Sequence, residues 1–168
     1  FFSDGVKTTA VRGVLAAFVV AMLAGKPTRW PILQALIAWP LANGLTDVLK
    51  NTFQWIRPCV ELPDTILRVE RLTSFGTASA HSANMAAVAT VLVWRLRSWG
   101  VPWALIALFT GLSRVYVGVH YPSQVVLGWL CGIGVASLVV KSWDWIEAKR
   151  SNVTTVNDDG SGEQRQGA

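Results

Sequence analysis

The sequence predicts an all-α fold: a polytopic transmembrane helical bundle with about five spans, or six if the chain lacks an N-terminal helix. Hydrophobic residues make up 52% of the 168 residues and the mean hydropathy is +0.40, both high for a soluble domain. Apolar runs alternate with short charged joints, whereas a soluble helical bundle, the rival architecture, needs polar outer faces. Several of the nine Trp residues end these runs, as in a membrane interfacial belt: Trp30, Trp94, Trp99, Trp143 and Trp145.

Each helix is predicted from an apolar run and, in most cases, a start signal. The runs cover residues 11–24, 31–48, 82–93, 102–117 and 122–140. Pro31, Pro102 and Pro122 fit the first turn of their helices, where a missing N–H loses no hydrogen bond. Residue 1 is Phe, not Met, so we expect a fragment that lacks an N-terminal helix.

Two segments are less membrane-like. Residues 59–77 alternate charged and apolar side chains, a pattern that fits either an amphipathic lid over a site or a solvated connecting loop. Residues 151–168 offer almost nothing to bury, which predicts a disordered polar tail. We therefore expect one membrane-embedded domain over residues 1–150, followed by that tail.

Composition argues against several other kinds of partner. The net charge is +5 and the pI about 9.7, but Lys and Arg form no basic patch, so we expect no nucleic-acid partner. Cys59 and Cys131 lie far apart, and Cys131 is inside an apolar run, which argues against a disulfide and a metal site. We expect the bilayer as a partner and no metal or other cofactor. The sequence specifies no oligomeric state.

Charges at the joints predict the orientation in the membrane. One end of the bundle has many cations and only two carboxylates, Asp144 and Glu147. The cations are Lys26, Arg29, Arg95, Arg97, Lys141, Lys149 and Arg150. By the positive-inside rule this end is cytoplasmic. The opposite end is then extracytoplasmic, and three polar clusters from different helix ends converge on it.

These clusters contain fixed cations without local carboxylates. They are Lys50 with Arg57-Pro58, then Ser79-Ala80-His81, then Ser113-Arg114 with His120 and Gln124. No Asp or Glu lies between Leu72 and Val140. Arg offers parallel N–H donors and Lys a compact charge, so the clusters favour a tetrahedral anion such as phosphate.

The second and third clusters add a helix start and two histidines. Ser79 precedes a helical run, so its hydroxyl and the backbone N–H groups of Ala80 and His81 can face an anion. Two histidines on one face favour a division of labour, one attacking phosphorus and one protonating the leaving oxygen. Gln124, four residues after His120, is placed to accept the imidazole N–H and fix its tautomer.

In this order the three clusters resemble the signature of the type 2 phosphatidic acid phosphatases, a superfamily shared with the vanadium haloperoxidases. The matching pattern is Lys50-x6-Arg57-Pro58, then Ala78-Ser79-Ala80-His81, then Ser113-Arg114-x5-His120-x3-Gln124. The resemblance covers about residues 30–140. It is specific, because three spaced clusters must occur in one order.

The resemblance implies a metal-independent phosphatase built as a membrane helical bundle. The residue matching His120 is the nucleophile, which forms a phosphohistidine, and the residue matching His81 is the general acid. Gln124 takes the place of the group that orients the nucleophile. The phosphoryl oxygens are held by the positions matching Lys50, Arg57, Ser79, Ala80, Ser113 and Arg114.

This chain departs from the pattern at three positions. Ala78 and Ala80 stand where the family usually has Pro and Gly, and the extra methyl of Ala80 is tolerable if its φ is negative. Gln124 stands where Asp is usual. Its amide oxygen can still select the tautomer, and the glucose-6-phosphatase-like branch resembles this chain in carrying Gln there. We therefore expect activity, with an impaired enzyme as the alternative.

The expected substrate is a lipid phosphate monoester or diphosphate of the phosphatidate, phosphatidylglycerol phosphate, undecaprenyl diphosphate or lipid A phosphate type. The sequence does not choose among these. Two alternatives stay open: a non-catalytic phospholipid-binding or scaffold protein, supported only by Gln124, and a vanadate-dependent haloperoxidase, which the spans argue against. We expect the protein in a bacterial inner (plasma) membrane with its site on the periplasmic face.

Overall fold

The computed structural model describes residues 9–62, 66–69 and 72–163, and these residues form helices and no strand. The all-α prediction is thereby confirmed for the described part of the chain. The helices, in chain order, are α1 (Thr9–Ala24), α2 (Arg29–Phe53), the short α3 (Pro58–Glu61), α4 (Ala80–Leu96), α5 (Val101–Tyr116) and α6 (Pro122–Glu163), with a 3₁₀ turn at Arg97–Gly100 between α4 and α5.

Helix starts follow the local sequence. Pro31, Pro102 and Pro122 all lie in the first turn of a helix, as predicted. Helix α4 starts at Ala80, two residues before the predicted run, because Ser79 caps it and accepts from the Ser82 N–H at 3.4 Å. Every predicted apolar run lies within one of the helices, except that α5 ends at Tyr116, one residue before the end of the run 102–117.

Two segments in the described part of the chain are long and apolar enough to cross a membrane, Arg29–Glu61 and Pro122–Ser151. Helices α1, α4 and α5 have 16, 17 and 16 residues, shorter than the roughly 20 that a bilayer core requires. The count of about five spans therefore stays a prediction.

Small side chains fill the interior of the bundle, and large apolar side chains lie on its outer surface. The core is built mainly from small residues: Ala35, Ala38, Ala42, Ala83, Ala87, Val91, Ala136 and Val140. Large apolar side chains such as Phe109, Leu130 and Leu138 are exposed instead. Small residues at helix contacts and large apolar residues outside are typical of bundles packed in lipid.

Helix α4 packs against α2, α5 and α6. Gly128 and Gly132 of α6 face the α4 backbone, and a Cβ at Gly128 would lie 2.5 Å from the Ser79 carbonyl oxygen. A Cβ at Gly132 would collide with the Ala83 carbonyl in the same way. The two glycines thus let α6 approach the start of α4 closely, which brings residues at both helix starts together.

At the opposite end of the bundle, Arg95 joins three helices. Its Nε donates to Gln34 Oε1 of α2 at 2.8 Å, and its Nη2 lies 2.6 Å from Asp144 Oδ1 of α6. Trp30 and Trp143 pack with ring centroids 5.5 Å apart at the same end. This is the end that the charge pattern assigns to the cytoplasm.

The connecting segment and the tail differ in part from the sequence-based expectation. Between Glu61 and Ala80 the described residues are non-helical, and the role of residues 59–77 as lid or solvated loop stays a prediction; residues 63–65 and 70–71 lie outside the described part. Helix α6 continues to Glu163, past the boundary predicted at residue 150. The domain division and a disordered tail over residues 151–168 stay predictions.

Candidate active site

The polar clusters meet at the end of the bundle opposite Arg95. The cations Lys50, Arg57 and Arg114 all act electrostatically on both histidine rings, although they come from different segments. Lys50 is in the last turns of α2, Arg57 directly precedes α3, and Arg114 is in the last turn of α5. The site is therefore formed by chain ends that are distant in sequence.

A tight turn brings His120 back to helix α5. Gly118 has a φ of 78°, a backbone conformation that favours glycine. The turn lets the N–H groups of Val119 and His120 both donate to the Arg114 carbonyl, each at 3.3 Å. The His120 side chain, only 4% exposed, is thereby held beside Arg114.

Gln124 fixes which nitrogen of His120 carries the proton. Its Nε2 donates to the Ile56 carbonyl at 3.0 Å, so its Oε1 must face the other way. That oxygen lies 2.9 Å from His120 Nδ1 and accepts the Tyr121 N–H at 3.3 Å. Because Oε1 only accepts, Nδ1 carries the hydrogen and the lone pair lies on Nε2.

Arg57 is buried, and each of its N–H groups has a partner. Its Nε donates to the Ser74 carbonyl at 2.6 Å, and its Nη2 donates to the Ser74 hydroxyl at 3.1 Å and the Phe75 carbonyl at 3.2 Å. Its Nη1 donates to the Val119 carbonyl at 3.1 Å and lies 2.7 Å from His120 Nε2. These acceptors account for all five donors of a guanidinium group.

The other two cations have fewer partners in the described structure. Arg114 Nε is buried and has no hydrogen-bond partner among the described residues. Lys50 Nζ lies 3.0 Å from Asp47 Oδ1, three residues earlier on α2. Asp47 was not among the predicted site residues, although its i, i+3 spacing from Lys50 is a signal for such a pair.

The remaining predicted site residues lie at the start of α4 and near the end of α5. The Ser79 N–H donates to the Gln124 carbonyl at 2.9 Å, which joins the starts of α4 and α6. Ala80 begins α4 without a positive φ, so its methyl group is tolerated, and the exposed His81 follows it. The Ser113 hydroxyl donates to the Thr110 carbonyl at 2.7 Å, so it is directed at its own helix backbone.

Electrostatics favour a neutral His120. Its ring lies in the connection between α5 and α6, outside the helices. Burial, and after it the positive charge of Arg57, lower the pKa of His120 from 6.5 to about 4, while the hydrogen bond with Gln124 acts in the opposite direction. Near neutral pH Nε2 is therefore unprotonated, and its electron pair faces Arg57 Nη1. Such a group can act as a nucleophile.

A metal-binding group is not apparent in the described residues. No three His, Cys, Asp or Glu side chains among them are grouped so that they could hold an ion. What the arrangement offers an anion is positive charge and N–H donors.

Comparison with known proteins gives consistent results. The model of the PAP2 superfamily matches residues 29–147, a range that contains the whole site. An undecaprenyl-diphosphatase of Sulfolobus acidocaldarius is 31% identical over 121 residues, 71% of this chain and 59% of the relative. Phosphatidylglycerophosphatase B of Bacillus subtilis is 28% identical over 126 residues, 68% of this chain and 59% of the relative. The chain thus spans about three fifths of each curated relative.

Two crystal structures share the fold. LpxE of Aquifex aeolicus has a TM-score of 0.68 at 27% identity, and the match covers 76% of each chain. The first transmembrane PAP2-type phosphatidylglycerolphosphate phosphatase from Bacillus subtilis has a TM-score of 0.62 at 27% identity, covering 84% of this chain and 72% of that one.

Proposed function

The chain belongs to the PAP2 superfamily, and from that premise we propose that it is an integral membrane phosphatase that hydrolyses a lipid phosphate monoester or diphosphate through a phosphohistidine. One observation carries the proposal. His120 is buried, its Nδ1–H donates to Gln124 Oε1, and its Nε2 lone pair therefore faces the cation Arg57. The proposed chemistry needs no metal, because side-chain cations and backbone N–H groups supply the positive potential.

In the first step, His120 Nε2 attacks phosphorus and forms a P–N bond while the P–O bond to the leaving group breaks. His81, exposed in the first turn of α4, donates the proton that the leaving oxygen needs. Gln124 Oε1 accepts the hydrogen bond from Nδ1–H, and the proton stays on Nδ1 as positive charge develops on the ring. The neutral state of His120 before attack supports this role.

The phosphoryl oxygens are held by groups at the same end of the bundle. Arg114 supplies the Nε–H that lacks a partner in the described structure, and Lys50, paired with Asp47, supplies a second charge. Arg57 supplies the third, because its Nη1 lies 2.7 Å from His120 Nε2, the atom that bonds phosphorus. Ser79 and the first N–H groups of α4 add donors at a helix N-terminus. Ser113 precedes Arg114 on α5. Because its hydroxyl donates to the Thr110 carbonyl, we propose that it contributes to phosphate binding only through this position next to Arg114.

In the second step, water attacks the phosphohistidine. His81, now neutral, takes a proton from that water, and the P–N bond breaks with its electron pair returning to Nε2. Inorganic phosphate leaves and His120 is restored. Each proton therefore passes through His81, and His120 carries only the phosphoryl group.

A lipid substrate fits the position of the site. The cationic end of the bundle lies above outer surfaces rich in exposed apolar side chains, where lipid tails would remain in the bilayer. The named relatives are an undecaprenyl-diphosphatase and a phosphatidylglycerophosphatase, and phosphatidate and lipid A phosphates likewise present a terminal phosphate on a lipid. We place the protein in a bacterial inner membrane with this end periplasmic, on the basis of the positive-inside rule.

The test is release of inorganic phosphate by detergent-purified protein from a panel of these lipids, with EDTA present. We expect release from at least one lipid by the wild type and none above background by His120→Ala. Gly134→Ala, which faces open space, is the matched control and should retain wild-type activity. Lipid binding without any release by the wild type would contradict the proposal and favour a non-catalytic member.

A further inference from the structure

One face of helix α6 joins an apolar groove to exposed cations at the end of the bundle opposite the site. The groove has a volume of about 390 Å³ and lies between Leu45 of α2 and a set of α6 residues that includes Leu130, Leu138 and Lys141. We propose that it binds one anionic phospholipid, with a hydrocarbon chain in the groove and the phosphate group beside Lys141.

The groove has apolar walls and opens to the outside of the bundle. Leu130 and Leu138 are 61% and 67% exposed, and Leu45 is 38% exposed. On the opposite side of the same helix, Ala136 and Val140 are fully buried in the core. In a bilayer such outward-facing leucines contact lipid chains, and a groove between two helices makes more contacts with a chain than a flat face does.

Lys141 lies at the depth of phospholipid headgroups. Helix α6 contains a segment long and apolar enough to cross a membrane, Pro122–Ser151. At about 1.5 Å per residue, residues 122–140 extend over about 27 Å, close to the roughly 30 Å of a bilayer's hydrocarbon core. Lys141 follows directly, and Trp145, which is 65% exposed, comes one turn later, where an interfacial aromatic residue is expected.

The part of this face below the groove is basic. Leu138, Lys141, Trp145 and Lys149 are spaced by three or four residues, so they share one face of the helix. Lys141 is exposed and forms no ion pair with a described residue. The Lys149 Nζ lies 5.3 Å from the centre of the Trp145 ring, which keeps a second ammonium group on the same face.

The carboxylates near this face are directed elsewhere. Asp144 has the spacing to pair with Lys141 but lies 2.6 Å from Arg95 Nη2 of α4 instead. Glu147 accepts the Trp143 indole N–H at 2.9 Å. A headgroup at Lys141 therefore meets a cation that no carboxylate in the described part of the chain neutralises. A zwitterionic headgroup brings its own cation, which these ammonium groups repel, so the face favours an anionic lipid.

A second copy of this chain fits the face less well than a lipid does. In a twofold dimer the same surface lies on both sides of the interface. Lys141 and Lys149 of one protomer would then approach those of its partner, and like charges brought together at an interface are unfavourable. The charge on this face therefore selects a lipid as its occupant.

The test is native mass spectrometry of the detergent-solubilised full chain with dioleoyl phosphatidylglycerol or dioleoyl phosphatidylcholine. We expect phosphatidylglycerol to bind at least about fivefold more tightly than phosphatidylcholine, and Lys141→Gln to weaken phosphatidylglycerol binding about fivefold. Arg97→Gln removes the same charge from the turn between α4 and α5 and should stay within about twofold of wild type. Equal binding of the two lipids, or an equal loss in both variants, would overturn the proposal.

A second pair of variants tests the groove. Leu138→Asn and Leu105→Asn make the same change at exposed leucines of α6 and α5, and of these two only Leu138 lines the groove. We expect Leu138→Asn to weaken phosphatidylglycerol binding by about threefold or more and Leu105→Asn to leave it unchanged. Glycerol 3-phosphate, which has the anionic group but no chains, should not displace the lipid. Displacement would contradict the groove as part of the site.

The same spectra separate this site from the active site and from self-association. The phosphatidylglycerol adduct should persist when inorganic phosphate is added, because free phosphate is held by the cations of the active site. Loss of the adduct at saturating phosphate would assign the lipid to the active site, and a protein dimer in place of the adduct would assign the face to a second copy. Neither measurement requires turnover, so both remain decisive if the proposed activity itself fails the lipid panel.

Discussion

The side-chain amide of Gln124 shows how far residue-level reasoning from sequence could reach. Its spacing from His120 predicted the bond to Nδ1, which is present at 2.9 Å. Its second bond, to the Ile56 carbonyl, could not be predicted, because a backbone carbonyl from a distant segment has no sequence signature. That bond gives a physical reason for an amide here: a carboxylate would face the Ile56 carbonyl without a hydrogen to donate.

Replacing Gln124 by Met removes its side-chain hydrogen bonds with His120, Tyr121 and Ile56 while keeping a similar volume. We expect kcat to fall on the order of 10²- to 10⁴-fold, because the His120 tautomer is no longer selected, with little change in KM. Steady-state phosphate release checks this. Tyr121→Phe, which removes only the bond from the Tyr121 hydroxyl to Glu61, is the control and should stay within about threefold of wild type. A fully active Gln124→Met would contradict the orienting role.

The titration of His120 is a second residue-level prediction. Its pKa of about 4 in the fold lies below the ordinary value of 6.5. As pH falls from 6.5 to about 4, the unfolded chain gains a proton at this residue while the folded chain does not. The contribution of the neutral His120 to the free energy of unfolding is therefore lost over that range. With only two histidines in the chain, ¹⁵N NMR can follow each, using His81→Gln for assignment. A His120 midpoint at or above 6.5 would contradict the burial argument.

At the scale of helices, apolar runs and prolines predicted the elements, but the sequence did not reveal which faces approach most closely. Helix α4 begins at Ala80 rather than residue 82, because the cap Ser79 extends it. The contact between α4 and α6 depends on Gly128 and Gly132, which meet carbonyls of the partner backbone. Ser79 is thereby held at the start of α6, next to Gln124.

Gly128→Ala should disturb both packing and activity. The added methyl meets the Ser79 carbonyl at 2.5 Å, so α6 must move away from the start of α4. We expect a loss of about 1–3 kcal/mol in the free energy of unfolding, with a lower kcat.

Gly134→Ala on the same helix is the matched control, since nothing lies within 4 Å of an added Cβ there. We expect it to gain about 0.4–1 kcal/mol. Thermal unfolding in detergent measures both variants. Equal stability of the two would show that α4 and α6 are not in close contact at Gly128.

At the scale of the whole molecule, the bundle has two chemically different ends. The predicted convergence of three polar clusters at one end is present, and Arg95 joins α2, α4 and α6 at the other. Periodicity and charge bias were enough to predict this polarity. The number of complete spans was not predictable in the same way, because α1, α4 and α5 are shorter than a typical span. A polar cluster also shortens the apolar run at the start of α4 and at the end of α5.

Cysteine labelling tests the orientation of the two ends. In a background lacking Cys59 and Cys131, Val60→Cys reports on the site end and Ser98→Cys on the opposite end; both positions are exposed. We expect a membrane-impermeant maleimide to label Val60→Cys in intact bacterial cells and Ser98→Cys only after lysis, as the positive-inside rule requires. The reverse pattern would place the site in the cytoplasm.

The most direct test of the mechanism is to trap the phosphoenzyme. The protein is mixed with its preferred lipid phosphate, quenched in alkali, in which phosphohistidine survives, and analysed by intact mass and peptide mapping. We expect one added phosphoryl group, mapped to the peptide that contains His120, and no added mass in His120→Ala. Turnover by the wild type with no such adduct, or an adduct that persists in His120→Ala, would contradict nucleophilic attack by this histidine.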